Sequence, residues 1–378
     1  MTIKKNLKKK LFKILFLKKK KLIETENKTF TSKQIFNDFL NIVYYLKKSK
    51  FKIIELSIKD KYLFFLVLLG GLFSNKLIYP KKNPLIFFRK SLKIFDEKKL
   101  SKVLNRKILT KPKFSFNNSS FLILETTGTT SKKKLITLNS LEYLNACYHS
   151  KEIFNYNNSN KILHCLPIYY NAGLNNTLFA GLLGESKIIF TENFNNFNFI
   201  KIFKIAKKKK INSIQLMPNM FLNLYFGLKD INFIKSLRSI ISTGSYLYPE
   251  IQKKFYDLFG KKIFSCYGIT ELGGAISVQN NMNYNQENCV GKIPKNIKVK
   301  INKKKEILLN TPFKMSGYFF NRKVKKLKKN TFFNSGDLGF LKKDHLYITG
   351  RSKEIVIRGG ENISLKFIEN TALKFDEI

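Results

Sequence analysis

The chain has 378 residues, 44% of them hydrophobic and 14% aromatic, which excludes disorder for most of it and suits one large domain or two to three smaller ones. It carries 71 lysines and arginines against 25 acidic residues, a net charge of +46. Such a charge attracts nucleic acid, anionic membranes and acidic ligands. Lysine, asparagine, isoleucine and phenylalanine are all in excess, as an A/T-rich genome would also produce, so we expect no specific nucleic-acid partner.

Cysteine and histidine are too few and too scattered for a zinc site or a disulfide framework. The four cysteines include no CxxC pair, and there are three histidines. Reduced thiols are typical of a cytosolic protein, so we expect a cytoplasmic location.

Residues 1–25 form a basic leader. Leu7, Leu11, Ile14 and Leu15 fall near one helical face among many lysines. Two interpretations stay open: residues 4–22 lie on an anionic membrane surface, or they are a solvated extension. Lysines close off the apolar part and no small-residue cleavage site follows, which argues against a signal peptide.

Further along, short apolar runs alternate with helix-like segments. Residues 62–73 are apolar but fall short of the ~20 residues that cross a bilayer, so they predict a buried helix. From residue 121 the alternation predicts an α/β fold with mixed, largely parallel sheets flanked by helices. After residue 290, strands joined by tight turns predict a small β-rich subdomain.

The run "ETTGTTSKKKLI", residues 125–136, directly follows a predicted strand. Hydroxyls, a flexible glycine and a nearby cation can wrap a polyphosphate, although the run is not a P-loop. A polar hairpin between two strands is the alternative. The candidate phosphate-binding residues are Thr126, Thr127, Gly128, Thr129, Thr130 and Lys134.

Two later segments carry carboxylates suited to a nucleotide. In "YGITE", residues 267–271, Glu271 is a candidate Mg²⁺ ligand and Tyr267 offers a flat face to a base. In "NSGDLGF", Asp337 can accept hydrogen bonds from two vicinal hydroxyls of a ribose. The structural alternatives are a strand-to-helix junction with a glutamate at the helix start, and an Asp/Gly turn.

Together and in this order, these segments resemble the ANL adenylating superfamily, which includes acyl-CoA synthetases, adenylation domains of nonribosomal peptide synthetases and luciferases. "TTGTTSKKK" aligns without gaps with that family's phosphate loop, with Ser131 in place of its second glycine and Lys133 in place of its proline. "STGSYLYPE", "YGITE", "VGKIP", "SGYF", "SGD" and "GRSKE" match further family motifs.

The resemblance implies specific roles. Thr130, Glu271 and Lys353 would be catalytic, with Glu271 the Mg²⁺ ligand and Lys353 the hinge of a moving C-terminal domain. Asp337 would hold the ribose, and Arg351 would contact ribose or phosphate. The remaining residues of the implied nucleotide site are Gly244, Ser245, Tyr246, Tyr267, Gly268 and Thr270, together with the phosphate loop.

The resemblance also implies two-step chemistry with ATP and Mg²⁺. A carboxylate attacks the α-phosphorus to give acyl-AMP and pyrophosphate, and a thiol of CoA or of a carrier protein then displaces AMP. Residues 26–350 would be the AMP-binding domain, and 351–378 the hinge and the start of a truncated C-terminal domain. That domain brings an adenylation lysine in the family, so three alternatives are open: the sequence is a fragment, a separate polypeptide supplies the domain, or the protein binds ATP without turning it over well.

One segment of the sequence bears on the class of the carboxylic acid. "LPIYYNAGL", residues 166–174, resembles a segment of acyl-CoA synthetases, and no FDxS-like segment of amino-acid-activating domains is present. We therefore expect an uncharged acyl or aryl carboxylic acid beside Tyr170, Asn219, Ser245 and Tyr246. Two alternatives remain: a ligase that passes its acyl group to an amine or a carrier instead of CoA, and a catalytically impaired or non-enzymatic relative that acts as a basic binding protein.

Overall fold

A computed structural model describes residues 4–18, 20–82, 88, 90–106, 108, 111–126, 134–227, 231–279, 288–321, 323–328, 330–358, 361–364 and 368. Side chains are described as far as residue 354, and again at residue 368.

The strands, numbered in chain order, have the following bounds: β1 Ile23–Glu24, β2 Thr29–Phe30, β3 Ile53–Leu56, β4 Leu77–Pro80, β5 Leu92–Ile94, β6 Ser120–Glu125, β7 Leu135–Asn139, β8 Lys161–His164, β9 Lys187–Phe190, β10 Ser213–Leu216, β11 Ser239–Ser242, β12 Phe264–Ile269, β13 Gly274–Gln279, β14 Cys289–Lys292, β15 Lys298–Ile301, β16 Glu306–Asn310, β17 Gly317–Phe320, β18 Lys323–Lys326, β19 Phe333–Lys342, β20 His345–Arg351, β21 Ile355–Arg358 and β22 Glu361–Ser364.

The α-helices are α1 Leu7–Phe12, α2 Ser32–Lys48, α3 Lys61–Ser74, α4 Glu97–Leu104, α5 Ser140–Ile153, α6 Ala180–Leu183, α7 Phe199–Lys208, α8 Pro218–Gly227, α9 Ile231–Ser236 and α10 Pro249–Phe259. Lys13–Leu17 and Ala172–Phe179 are π-helical, and Thr270–Leu272 is a 3₁₀ turn.

The chain forms two compact units. The N-terminal unit contains Ile3–Asn193 and Phe313–Leu327. Its seven-stranded sheet has the order β18-β17-β7-β6-β4-β3-β5, with β4 parallel to β3 and β6, and β7 antiparallel to β6. A second group of strands pairs β8 with β9 and β9 with β1, both in parallel.

The C-terminal unit contains Phe194–Pro312 and Lys328–Ile378. Strands β10, β11 and β12 are parallel, and β13 returns antiparallel to β12. A separate five-stranded antiparallel sheet has the order β14-β20-β19-β16-β15. The predicted fold class, mixed α/β with a small β-rich part after residue 290, is confirmed.

Helix α3 shows what the long apolar run does. All of its residues, Lys61–Ser74, are buried, as the sequence predicts. Asp60 caps its start by accepting a hydrogen bond from the Leu63 amide, and Asn75 ends it in the left-handed conformation. In the part of the chain that the structure describes, no helix is both long and apolar enough to cross a membrane.

The leader is not an extension. Leu7, Leu11, Ile14 and Leu15 are at most 2% exposed, because the helical segment folds onto the N-terminal unit. Phe12 lies in a cluster of rings, which also contains Phe16, Phe36, Phe39, Phe73, Phe114 and Phe116. Both interpretations of residues 4–22 are therefore wrong for this face: it is neither solvated nor available to a membrane.

A buried lysine stands at the start of α3. The Lys61 ammonium donates to the carbonyl oxygens of His164 and Leu166, at 2.9 and 3.0 Å. Burial lowers the Lys61 pKa to about 7, and the nearby Cys165 thiol opposes that shift only in part. Through these two hydrogen bonds, Lys61 connects α3 to the end of β8 and to the start of the segment 166–174.

The stability of the protein should depend on pH through Lys61. Between pH ~7 and ~10.5 the unfolded chain holds more protons on this lysine than the folded chain, so the free energy of unfolding rises with pH. We expect a gain of about 1–2 kcal/mol between pH 7 and 9 that is absent from Lys61→Met. Urea denaturation followed by circular dichroism at several pH values measures it.

Lys76 supplies a matched control. Its ammonium also donates to two carbonyl oxygens, those of Ser49 and Phe51, but the side chain is only partly buried. Lys76→Met should therefore change the pH dependence much less than Lys61→Met. Parallel stability curves for the wild type and Lys61→Met would contradict the assignment.

Candidate nucleotide site

Three loops of the C-terminal unit meet at one edge of a sheet. Because β10, β11 and β12 are parallel, the loops that follow their carboxyl ends share that edge, where α/β proteins commonly bind ligands. Near this edge lie Asn219 at the start of α8, the predicted Gly244–Ser245–Tyr246 segment after β11, and the "YGITE" segment that ends β12. The parallel topology thus brings together three groups of predicted site residues that are far apart in sequence.

The loop after β11 depends on a glycine. Gly244 has φ +96°, a conformation that favours glycine, and a Cβ added there would be in ordinary contact with the side chain of Met217. Ser245 is exposed, and the Tyr246 hydroxyl donates to Asn288 Oδ1 at 3.1 Å. This loop presents an exposed hydroxyl and an anchored aromatic ring at the edge of the sheet.

The segment "YGITE" ends β12. Gly268 is exposed and approaches the backbone of Gly274 and Ala275 on β13, where the register of the two strands shifts. Thr270 and Glu271 follow in a 3₁₀ turn, both partly buried. The structural alternative for this segment was a glutamate at the start of a helix. Glu271 does lie at the start of a helical segment, but that segment is a single 3₁₀ turn.

Asp337 is fixed by its own loop. Its backbone amide donates to Ser335 Oγ at 3.0 Å, and that hydroxyl donates to the Ile307 carbonyl at 2.8 Å. Gly336 has φ +76°, and its carbonyl accepts from the Ser352 amide at 2.9 Å. These contacts hold the carboxylate in place on β19, with the Asp337 residue only 3% exposed.

Two other predicted site residues donate hydrogen bonds to this carboxylate. The Tyr267 hydroxyl donates to Asp337 Oδ2 at 2.6 Å, and Arg351 Nε donates to Oδ1 at 3.0 Å. Asp337 and Arg351 are direct partners in the β19–β20 register. Tyr267, Asp337 and Arg351, each predicted separately from the sequence, therefore form one network.

The Tyr267 hydroxyl is held in its protonated, donating form in this network. Burial and the neighbouring Asp337 carboxylate raise the pKa of Tyr267 well above its ordinary value, so the phenol stays protonated and donates. A carboxylate accepts about four hydrogen bonds. The two bonds in place leave acceptor capacity for a pair of ligand hydroxyls.

Glu271 is the candidate Mg²⁺ ligand of this edge. Among the described residues, no group of three or more His, Cys, Asp and Glu side chains is placed to hold a metal. One carboxylate is nevertheless the usual protein contribution where Mg²⁺ keeps waters and phosphate oxygens. The donor set at the edge therefore fits Mg²⁺ bound with a nucleotide.

Lys353 lies just beyond the network. It is exposed in the turn after β20, where the Glu354 amide donates to the Arg351 carbonyl at 3.0 Å. The structure thus places Lys353 two residues beyond the arginine of the network. Its predicted role as a hinge stays a prediction.

The candidate phosphate loop belongs to the N-terminal unit. It joins the antiparallel strands β6 and β7, and the Thr126 amide donates to the Lys134 carbonyl at 2.9 Å across its base. Thr126 is buried, and Lys134 Nζ lies 5.6 Å from the centre of the Tyr318 ring. Thr127, Gly128, Thr129, Thr130 and Ser131 lie outside the described residues, so both interpretations of the loop stay open.

The predicted acyl-site residues divide between the units. Tyr170 is 41% exposed in the N-terminal unit, with its ring against that of Tyr169. Asn219 is exposed on α8 of the C-terminal unit. Each side chain is accessible, as a ligand contact requires.

Sequence reasoning missed two structural features of the C-terminal unit. Nothing in "YGITE" indicates that the Tyr267 hydroxyl binds Asp337, because their strands are 70 residues apart. Gly291 of "VGKIP" has φ +100°, and a Cβ there would overlap the Val278 carbonyl. The position therefore requires glycine. The motif itself is the only sequence signal for Gly291.

Comparison with known proteins decides the family. The AMP-binding enzyme family matches residues 88–319, more than half of the chain. The chain belongs to the AMP-binding enzyme family. That membership places it in the ANL adenylating superfamily, as the resemblance of its motifs predicts.

Curated relatives agree with this AMP-binding family assignment. The chain is 27% identical over 267 residues to 2-succinylbenzoate–CoA ligase of Lactococcus lactis, covering 68% of this chain and 55% of that protein. It thus spans about half the length of the curated relatives it matches.

Two solved structures share the fold. O-succinylbenzoate coenzyme A synthetase (MenE) of Bacillus subtilis superposes with a TM-score of 0.81 and 16% identity, covering 97% of this chain and 87% of that one. MatB of Rhodopseudomonas palustris gives a TM-score of 0.79 and 17% identity, covering 95% and 82%.

Proposed function

We propose that this protein activates a carboxylic acid with Mg·ATP and passes the acyl group to a thiol. In the first step a carboxylate oxygen bonds to the α-phosphorus and the bond to the β-phosphate oxygen breaks, which releases pyrophosphate. In the second step a thiolate, formed by loss of the thiol proton to solvent, bonds to the acyl carbon and AMP leaves. CoA is the proposed thiol, and a carrier-protein thiol would react in the same way.

The Tyr267–Asp337–Arg351 network carries this proposal. A ribose presents two vicinal hydroxyls, and Asp337 has acceptor capacity for both. Arg351 is exposed, so its side chain can move from the carboxylate toward a phosphate or ribose oxygen while Tyr267 keeps Asp337 in place. The side chains of the Gly244–Tyr246 loop would flank the base and the acyl group.

The phosphates would be held mainly by charge and by hydroxyls. Bound Mg²⁺, with Glu271 as its protein ligand, would neutralise phosphate oxygens as charge develops. Phosphoryl transfer needs alignment and charge stabilisation more than covalent help. Thr126 to Thr130 with Lys134 would supply donors of that kind, and Lys353 would serve as the hinge residue.

The names of similar proteins favour an acid that carries no ammonium group. The Lactococcus lactis relative is a 2-succinylbenzoate–CoA ligase, and a MenE structure contains the acyl-adenylate OSB-AMP. One MatB structure is bound to ATP. We therefore place the substrate of this chain among acyl or aryl carboxylic acids.

Carboxylate-dependent exchange of labelled pyrophosphate into ATP tests the proposal. Among 2-succinylbenzoate, benzoate, medium-chain fatty acids and amino acids, we expect exchange with at least one acyl or aryl acid. Glu271→Gln should lower the exchange rate by at least ~100-fold, since removing one transition-state charge contact costs about 3 kcal/mol. ATP hydrolysis to ADP, or exchange only with amino acids, would contradict the proposal.

A further inference from the structure

A second surface of the C-terminal unit, away from the nucleotide network in sequence, exposes large apolar side chains. Phe197 is 99% exposed and Phe226 is 81% exposed. Ile200 and Leu222 are exposed as well. Single exposed apolar residues are ordinary, but a group of them marks an interaction site. These four residues define the Phe197–Phe226 surface.

Two contacts show that the segments carrying these residues adjoin. Asn223 Nδ2 of α8 donates to Asn196 Oδ1, in the loop before α7, at 2.9 Å. The Gly227 backbone lies so close to the Phe199 ring that a Cβ there would overlap it. Phe197 follows Asn196 and Phe226 precedes Gly227, so both residues are direct chain neighbours of these two contacts.

The segment that carries these side chains is basic. Residues 193–227 contain six lysines and no aspartate or glutamate. Helix α7 buries Ile202, Phe203, Ile205 and Ala206, and its opposite face exposes Ile200 together with Lys201, Lys204, Lys207 and Lys208. Apolar and cationic side chains therefore occupy one solvent-facing surface.

We propose that the Phe197–Phe226 surface binds an anionic lipid bilayer. The aromatic and aliphatic side chains enter the boundary between headgroups and acyl chains, while the lysines lie along the phosphates with their alkyl stems against lipid. Charge complementarity selects this partner over a second copy of the chain, because two copies would bring their lysines face to face.

The composition also favours lipid over nucleic acid. Single strands are bound by aromatic rings that stack on bases, within a basic groove. Ile200 and Leu222 stand beside the two phenylalanines, and aliphatic side chains have no stacking role toward bases. A bilayer buries all four side chains in the same way.

Vesicle flotation with the full chain tests the proposal. We expect binding to vesicles of phosphatidylcholine with phosphatidylserine, at least ~10-fold weaker binding to phosphatidylcholine alone, and weakening by salt. Phe197→Ser with Phe226→Ser should lower the affinity for anionic vesicles by at least ~10-fold. The matched control, Phe320→Ser with Phe340→Ser, removes two exposed phenylalanines elsewhere and should leave binding unchanged.

Three results would overturn the proposal. Equal affinity of the Phe197/Phe226 variant and the wild type for anionic vesicles would remove this surface from any lipid contact. If the wild type and the control variant bind a single-stranded oligonucleotide and the Phe197/Phe226 variant does not, the surface binds nucleic acid. A wild-type dimer that the variant converts to a monomer, without vesicles, would assign it to self-association.

Discussion

Asp337→Ala should weaken ATP binding by at least ~100-fold. The carboxylate would accept hydrogen bonds from two ribose hydroxyls, and a hydrogen bond to a charged group contributes about 1.5–3 kcal/mol. The substitution also leaves the Tyr267 hydroxyl and Arg351 without their common partner. Titration calorimetry of the wild type and the variant with ATP and Mg²⁺ measures the change in dissociation constant.

The variant requires a folding control and a charge control. Circular dichroism and thermal unfolding show whether loss of the buried network has unfolded the C-terminal unit. Asp257 is exposed on α10, so Asp257→Ala removes the same charge from that unit without touching the network. A folded Asp337→Ala protein that binds ATP as tightly as Asp257→Ala would contradict the ribose assignment.

Gly291→Ala should destabilise the C-terminal unit by about 3–5 kcal/mol, because two costs add at one residue. The φ angle of +100° is unfavourable for alanine, and the new methyl group would overlap the carbonyl oxygen of Val278. That oxygen is backbone in β13 and cannot move aside without disturbing the strand. Urea denaturation followed by circular dichroism, with limited proteolysis of the C-terminal unit, measures the loss.

Gly260 is a control position without the steric overlap. It also has positive φ, +64°, but open space surrounds the position where a Cβ would stand. Gly260→Ala should cost only about 1 kcal/mol, the conformational penalty alone. Equal costs for the two glycines would show that the close approach to Val278 contributes nothing.

Much of the fold was predictable because it depends on local patterns. Alternating apolar runs and helix-like segments predict the α/β class, and continuous apolar character predicts the buried helix α3. The leader could not be predicted from its sequence. Its leucines are buried only because rings as distant as Phe73 and Phe114 pack around Phe12, and a sequence does not show which distant rings meet.

The residues of the candidate site could be predicted from the sequence, but the hydrogen bonds between them could not. Motif resemblance identifies Tyr267, Asp337 and Arg351 as separate contributors. Their network depends on the pairing of β19 with β20 and on the nearness of Tyr267 to that pair. Nothing in the sequence indicates that Lys61 is buried, since a lysine at a helix start is ordinarily exposed to solvent.

The most direct test of the central claim, that Asp337 binds the ribose of ATP, compares ATP with 2′,3′-dideoxy-ATP in calorimetric titrations of the wild-type chain. The two nucleotides share base and phosphates and differ only in the hydroxyls. The account predicts that ATP binds at least ~100-fold more tightly, and that Asp337→Ala abolishes the difference. Equal dissociation constants for the two nucleotides in the wild type would contradict it.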